Sequence, residues 1–199
     1  PLLISPELLC EIGLLPAERL QDSPSFPATK VDFGALIPWK SALLAEAYAA
    51  FAAGKCEALR EPFHQFCESQ AHWLEDYALF MALKDAHAYA PWTQWDDRLA
   101  RHDPEAVAHA RDVHRDRFEQ ARFTQFLFFR QWGDLRRYAN DRGIQLVGDI
   151  PIYVAHDSAD VWGNQEVFQL DGSGHPTVVG GVPPDYFCAT GQLWGNPIY

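Results

Sequence analysis

Aromatic rings alternate with amide and carboxylate side chains near the end of the 199-residue chain. The rings of this loop, at 185–199, are Tyr186, Phe187, Trp194 and Tyr199, and the polar residues between them are Asp185, Gln192 and Asn196. The apolar C–H face of a pyranose can lie on a ring, while its hydroxyls need donors and acceptors in several directions. The pattern favours a sugar ligand, although pockets of many kinds combine aromatic walls with a few polar groups. The alternative is a structural loop fixed by its aromatic residues.

A second candidate, Asp149, follows an apolar, β-branched run at 144–147. Gly143 before that run suits the left-handed end of a helix. We therefore expect a helix, a strand buried on both faces over 144–147, and a carboxylate at its carboxyl end, where α/β folds bind ligands. The alternative is that Asp149 only caps a turn before Pro151.

Other kinds of site find little support. No glycine-rich phosphate loop, G-x-S-x-G motif or cysteine–histidine nucleophile spacing is present. His102, His109 and His114 lie among exposed charges with no clustered acids, so we expect no metal site. We expect no cofactor. The four cysteines are scattered without C-x-x-C, which predicts free thiols in a reducing compartment.

Composition narrows the class of partner. With 16 basic against 27 acidic residues, the net charge of -11 argues against nucleic acid and other polyphosphates. No apolar run approaches the roughly 20 residues of a membrane helix. The amino terminus also lacks the features of a signal peptide. We expect a cytoplasmic globular protein that binds neither membrane nor nucleic acid.

Helices dominate the first 140 residues. Ser5 and Asp103 are expected N-caps with proline at N1, and glycines should end the first two helices, the second over 39–54. One long helical stretch is expected over 103–140, its apolar second part packing against the sheet. Two β-favouring runs over 167–179 predict a hairpin, residues 180–184 an irregular break, and residues 185–199 a loop.

Several long sequence segments resemble those of glycoside hydrolase family 77, the amylomaltases or 4-α-glucanotransferases. The run GDIPIYVAHDSADVW at 148–162 is similar to the family's first signature block. The runs GVPPDYF at 181–187 and TGQLWGNP at 190–197 resemble the next block. Residues 73–80 and 128–132 resemble its helical insertion and the helix before its third barrel strand. The resemblance extends over essentially the whole chain, in order.

The resemblance implies an α/β fold: part of a (β/α)8 TIM barrel with a helical inserted subdomain. Residues 1–102 would form mostly the insertion. Residues 103–199 would form part of the barrel, with its third strand at 144–150 and a following hairpin and loop. It implies transfer of α-1,4-glucan segments between maltooligosaccharides, starch or glycogen-type chains, without cofactor or metal. The mechanism would be a retaining double displacement between two carboxylates roughly 5–5.5 Å apart.

Site residues carry over individually. Asp149 matches the family's strand-three aspartate, which binds glucose at the cleavage point. Tyr186, Phe187, Gln192, Trp194 and Asn196 match its flexible acceptor-side loop, whose closure would exclude water. The roles of His156 and Cys188 stay open.

No catalytic carboxylate is expected within these residues. The family's nucleophile lies in an Arg-x-Asp-His motif, and its acid/base residue lies further along the chain. The resemblance would place both downstream of Tyr199. The family's upstream Ser-Pro-Tyr motif would precede Pro1. The resemblance therefore implies an internal fragment, inactive alone. The alternative function is a non-catalytic glucan-binding module or a relic enzyme that keeps the aromatic loop.

Overall fold

The computed structural model describes residues 1–199 and contains eight α-helices and two β-strands. The helices are α1 (Pro6–Glu11), α2 (Phe33–Ala52), α3 (Arg60–Ser69), α4 (Ala71–Ala86), α5 (Asp97–Ala100), α6 (Pro104–Val113), α7 (Arg115–Asn140) and α8 (Ala159–Gly163). The strands are β1 (Val179–Val182) and β2 (Gln192–Pro197). The chain divides into two compact units. No helix combines the length and the apolar character that crossing a membrane requires.

The first unit comprises Pro1–His72 and Glu119–Val147. Its core is built from apolar faces of α1, α2 and α7. Phe123 is fully buried and stacks on Phe51 with ring centroids 4.3 Å apart. Phe63 meets Phe123 edge-on at 5.6 Å. These rings come from three helices, α2, α3 and α7, and pack together at the centre of a helical core.

The second unit comprises Trp73–Phe118 and Gly148–Tyr199. Its centre holds the buried indoles of Trp92, Trp95 and Trp162. The indole N–H of Trp162 donates to the carbonyl of Leu99 at 2.8 Å, so a large apolar ring is buried with its polar atom satisfied. Beside this core, β1 and β2 pair antiparallel as a two-stranded sheet with an irregularity between Val179 and Gly181.

Several local predictions are confirmed. Ser5 Oγ accepts a hydrogen bond from the Leu8 N–H at 3.2 Å, and Asp103 Oδ1 accepts from the Ala106 N–H at 3.0 Å. Both helices begin with the expected proline. Gly143 has a φ of 74° just after α7, the left-handed conformation expected at a helix end. The second predicted helix forms but begins earlier, at Phe33, capped by Asp32.

The predicted buried strand over 144–147, which the family resemblance extends to 150 as a barrel strand, is not present. These residues are exposed and belong to no ladder; Val147 is 93% exposed. A parallel strand needs neighbours on both edges to pair its backbone groups, and these 199 residues place none beside it. Correspondingly, Trp132 and Leu135 on α7, expected to pack on a sheet, are exposed. The chain by itself contains no barrel.

The remaining β predictions were partly wrong. The expected hairpin over 167–179 is reduced to one bridge, Leu170 to Pro176, closed by the turn that contains Asp171. The expected break at 180–184 and the C-terminal loop instead supply β1 and β2, which pair with each other. Gly181 permits this, because a Cβ there would lie 2.5 Å from the carbonyl oxygen of Gln192. The long helical stretch is interrupted at His114, between α6 and α7.

The predicted division at residue 102 concerns subdomains of a complete barrel, and it stays a prediction. The two compact units follow a different division, because each draws on two separate stretches of chain.

Candidate functional site

The aromatic loop lies between β1 and β2 and extends into β2. Tyr186 and Phe187 at its tip are 90% and 77% exposed, with ring centroids 3.9 Å apart. Asp185 holds this tip, because its Oδ1 accepts from the backbone N–H groups of Phe187 at 2.9 Å and Cys188 at 2.8 Å. The tip therefore presents two large rings to solvent on a backbone turn that an aspartate fixes.

Three other predicted residues lie on β2. Trp194 is 44% exposed, and its indole N–H donates to Gln192 Oε1 at 3.1 Å. Asn196 is partly buried, and its Nδ2 donates to the carbonyl of Val154 at 2.8 Å. The ring of Tyr153 lies 6.0 Å from that of Trp194. The structure thus brings Gln192, Trp194 and Asn196 together with the segment 153–154.

Asp149 lies four residues before Tyr153 and is exposed. Its Oδ1 accepts from the backbone N–H of Ile150 at 2.9 Å, and no hydrogen bond joins it to the loop. That geometry leaves the second carboxylate oxygen available to a hydroxyl group. The structure places Asp149 just upstream of the segment that contacts β2, but it does not bring the carboxylate and the rings into contact.

An ion pair between a buried lysine, Lys84, and a partly exposed aspartate, Asp157, holds the chain that follows Tyr153. Lys84 Nζ lies 2.6 Å from Asp157 Oδ2 and donates to the carbonyls of Tyr89 at 2.8 Å and Ala90 at 2.9 Å. Asp157 Oδ1 accepts from the backbone N–H of Trp92 at 3.3 Å. All three ammonium protons thus find acceptors, which is the condition under which a buried lysine is tolerated. The sequence interpretation did not single out either residue, although Asp157 lies within the first signature block.

His156 is part of the same arrangement. Its backbone carbonyl accepts from Trp92 Nε1 at 2.8 Å, and its Nε2 lies 2.7 Å from the Gly174 carbonyl oxygen. An imidazole nitrogen facing a carbonyl must carry the proton and donate it. These contacts give His156 a structural role in holding the turn that contains Gly174.

Cys188 also makes local contacts. Its Sγ lies 3.5 Å from Thr190 Oγ1 and donates to the Gly191 carbonyl at 3.0 Å. The hydrogen bond with the Thr190 side chain is the main cause that lowers the pKa of the thiol. All four cysteines are free.

The histidines considered for metal binding are otherwise engaged or dispersed. His102 Nε2 lies 3.2 Å from Asp76 Oδ1, and its ring meets the edge of Trp162 at 4.4 Å. No cluster of three or more histidine, cysteine or acidic side chains has an arrangement suited to a metal ion. His102 packs as part of the second unit's core.

Comparison with known proteins finds similar sequences and structures over the whole chain. The family model of glycoside hydrolase family 77, described as 4-alpha-glucanotransferase, matches residues 1–199. The 4-alpha-glucanotransferases of Synechocystis sp. and Thermus thermophilus are each 49% identical over the whole chain, which covers 40% and 39% of their lengths. Among solved structures, an amylomaltase from Streptococcus agalactiae in complex with acarbose superposes on the whole chain with a TM-score of 0.90 and 36% identity. The chain covers 40% of that structure.

Proposed function

Because the chain belongs to the 4-alpha-glucanotransferase family, glycoside hydrolase family 77, we propose that its parent protein transfers α-1,4-glucan segments between maltooligosaccharides, starch or glycogen-type chains. The chain spans about two fifths of the length of the relatives it matches. These residues would form part of a (β/α)8 barrel with a helical insertion over 1–102. The exposed run at 144–150 would become its third strand once partner strands flank it.

The observation that carries this proposal is the ring-lined loop, whose strand β2 contacts the segment that follows Asp149. Trp194, Tyr186 and Phe187 offer exposed aromatic faces for the C–H surface of a glucose unit. Gln192, Asn196 and the free oxygen of Asp149 offer polar partners for its hydroxyls. We propose these six residues as the substrate-binding set. The amylomaltase relative is in complex with acarbose, and we expect acarbose to bind to these residues.

The chemistry would follow a retaining course. A carboxylate nucleophile and a second carboxylic acid, about 5–5.5 Å apart, would be supplied outside these 199 residues, since no Arg-x-Asp-His word occurs within them. The contribution of this chain is then to bind and orient glucan. Closure of the loop over the acceptor would exclude water and favour transfer over hydrolysis. No cofactor is needed for such a displacement. The free cysteines support a cytoplasmic location.

The test is disproportionation of maltotriose by the full-length protein. Transfer predicts equal early release of glucose and of maltopentaose, because each transferred maltosyl unit lengthens an acceptor by two sugars. The isolated 199-residue chain should release neither. If the full-length protein binds acarbose but forms no longer product, the glucan-binding alternative holds instead. If it neither binds nor transfers, the proposed function is wrong.

A further inference from the structure

Asn196 in β2 and Tyr199, two residues beyond its end, bind this strand to the segment that follows Asp149. Asn196 Nδ2 donates to the Val154 carbonyl at 2.8 Å, and the Tyr199 hydroxyl donates to the Ile152 carbonyl at 2.5 Å. The bonds span 42 and 47 residues of sequence. Each joins a side chain to a backbone carbonyl, so neither depends on the side chains of Ile152 or Val154.

Tyr153 lies between the two hydrogen-bonded residues in sequence, and its partly buried ring packs near two other rings. Its ring is 6.0 Å from that of Trp194 and 6.1 Å from that of Tyr199. A Cβ at Gly180 on β1 would lie 2.9 Å from Cε2 of Tyr153, so β1 approaches the ring closely. The segment 152–154 is thus packed against the sheet by a ring and held by hydrogen bonds on either side of it.

The other side of Tyr199 is also anchored. Its ring lies 5.6 Å from that of Phe168, its backbone carbonyl accepts from Gln169 Nε2 at 3.1 Å, and the neighbouring Ile198 carbonyl accepts from the Gln169 N–H at 2.8 Å. A phenol held at both its ring and its backbone can fix the carbonyl that its hydroxyl contacts. That carbonyl belongs to Ile152, which lies only three positions after Asp149 in the sequence.

We propose that Tyr199 and Asn196 are positioning residues, which fix Trp194 and the acceptor-side loop relative to Asp149 through the carbonyls of Ile152 and Val154. This inference rests on the proposed function and refines the role of Asn196. One amide proton of Asn196 is committed to Val154, while its Oδ1 and second proton stay available to a sugar. Tyr199 acts without touching substrate.

If Tyr199 and Asn196 act in this way, they fix the distance between Asp149 and Trp194, which would contact the same glucan. A misplacement on the order of 1 Å between groups that orient a substrate can cost about a hundredfold in rate. Loss of either hydrogen bond would let the loop and Asp149 move independently. Both transfer rate and exclusion of water should then suffer, since each requires the ring to close on a correctly placed sugar.

The experiment uses the full-length protein with Tyr199→Phe, which removes one hydroxyl, and Asn196→Asp, which keeps the shape but removes the amide donor. The matched control is Tyr89→Phe, the same deletion on a ring that is 64% exposed. We expect kcat/KM for maltotriose to fall about tenfold in the two test variants, with a larger share of hydrolysis and little change in Tm. Tyr89→Phe should match wild type.

A double-mutant cycle separates positioning from general stability. In a Trp194→Ala background, Tyr199→Phe should have little further effect on kcat/KM, because the ring that it positions is absent. The inference would be overturned if the effects of Tyr199→Phe and Trp194→Ala on kcat/KM were fully additive. It would also be overturned if kcat/KM fell only in proportion to a lower Tm, with an unchanged ratio of transfer to hydrolysis. So would test variants that behave like Tyr89→Phe while the wild type transfers glucan. A wild type that transfers no glucan would instead contradict the proposed function and remove the premise of this inference.

Discussion

The buried ammonium of Lys84 lies 2.6 Å from the Asp157 carboxylate and also donates to two backbone carbonyls. This contact joins α4 to the stretch between Asp149 and α8. Those carbonyls belong to Tyr89 and Ala90, where Tyr89 itself has a φ of 62°. The lysine therefore satisfies backbone groups in a turn that departs from regular helix, as well as pairing a charge.

Replacing Lys84 should destabilise the second unit. Lys84→Met keeps much of the buried stem but leaves Asp157 and the carbonyls of Tyr89 and Ala90 without this donor. Because the Asp157 side chain is 37% exposed and can be hydrated, we expect a loss of about 2 kcal/mol, between typical surface and buried pairs. Chemical denaturation of the 199-residue chain measures it. Lys55→Met, at an exposed lysine, is the control, and equal losses in both variants would contradict the assignment.

Gly174 should tolerate alanine much less well than Gly195. Both have positive φ, 79° and 77°, so both substitutions carry a backbone cost of about 1 kcal/mol. Only at Gly174 would the new Cβ clash, 2.5 Å from Cη2 of the buried Trp92; nothing lies within 4 Å at Gly195. We expect Gly174→Ala to cost about 1–3 kcal/mol more than Gly195→Ala. Equal unfolding midpoints in urea would show that the turn does not pack on Trp92.

The turn at Asp171 predicts a pH dependence. Hydrogen bonds from the backbone N–H groups of His175 and Ser173 lower the pKa of this carboxyl. A carboxyl whose folded pKa lies below its unfolded value stabilises the fold above the unfolded pKa, and this contribution is lost as the pH falls through the folded pKa. Asp171→Asn should therefore lower Tm at neutral pH, with a difference that shrinks in acid. A difference that is constant with pH would contradict this.

Local features were predictable from the sequence because they depend on neighbouring residues. Ser5 and Asp103 cap their helices through the N–H three residues on, and Gly143 takes its left-handed φ immediately after α7. Pairing between distant segments was not predictable. Of the residues in β1, Val179 was assigned to the hairpin and 180–182 to a break, since nothing near them in sequence shows that Gln192–Pro197 will pair with them.

In the candidate site, too, some residues could be predicted from the sequence and others could not. Asp149, Trp194 and Asn196 could be selected because they lie in long segments that resemble the family's sequence motifs. The bond from Tyr199 to the Ile152 carbonyl could not, since it joins residues 47 positions apart through a backbone atom that any residue supplies. The same holds for the Lys84–Asp157 pair, 73 residues apart. The run at 144–150 carries the signal of a buried strand, but its pairing depends on strands that these residues do not contain.

The most direct test of the account compares kcat/KM for maltotriose in the full-length protein with that of Asp149→Ala and Trp194→Ala, both checked for unchanged Tm. If these side chains bind the glucan during transfer, each variant should lose at least about tenfold, the cost of roughly 1.4 kcal/mol of transition-state binding. Wild-type kcat/KM in both variants would contradict the assignment of this site.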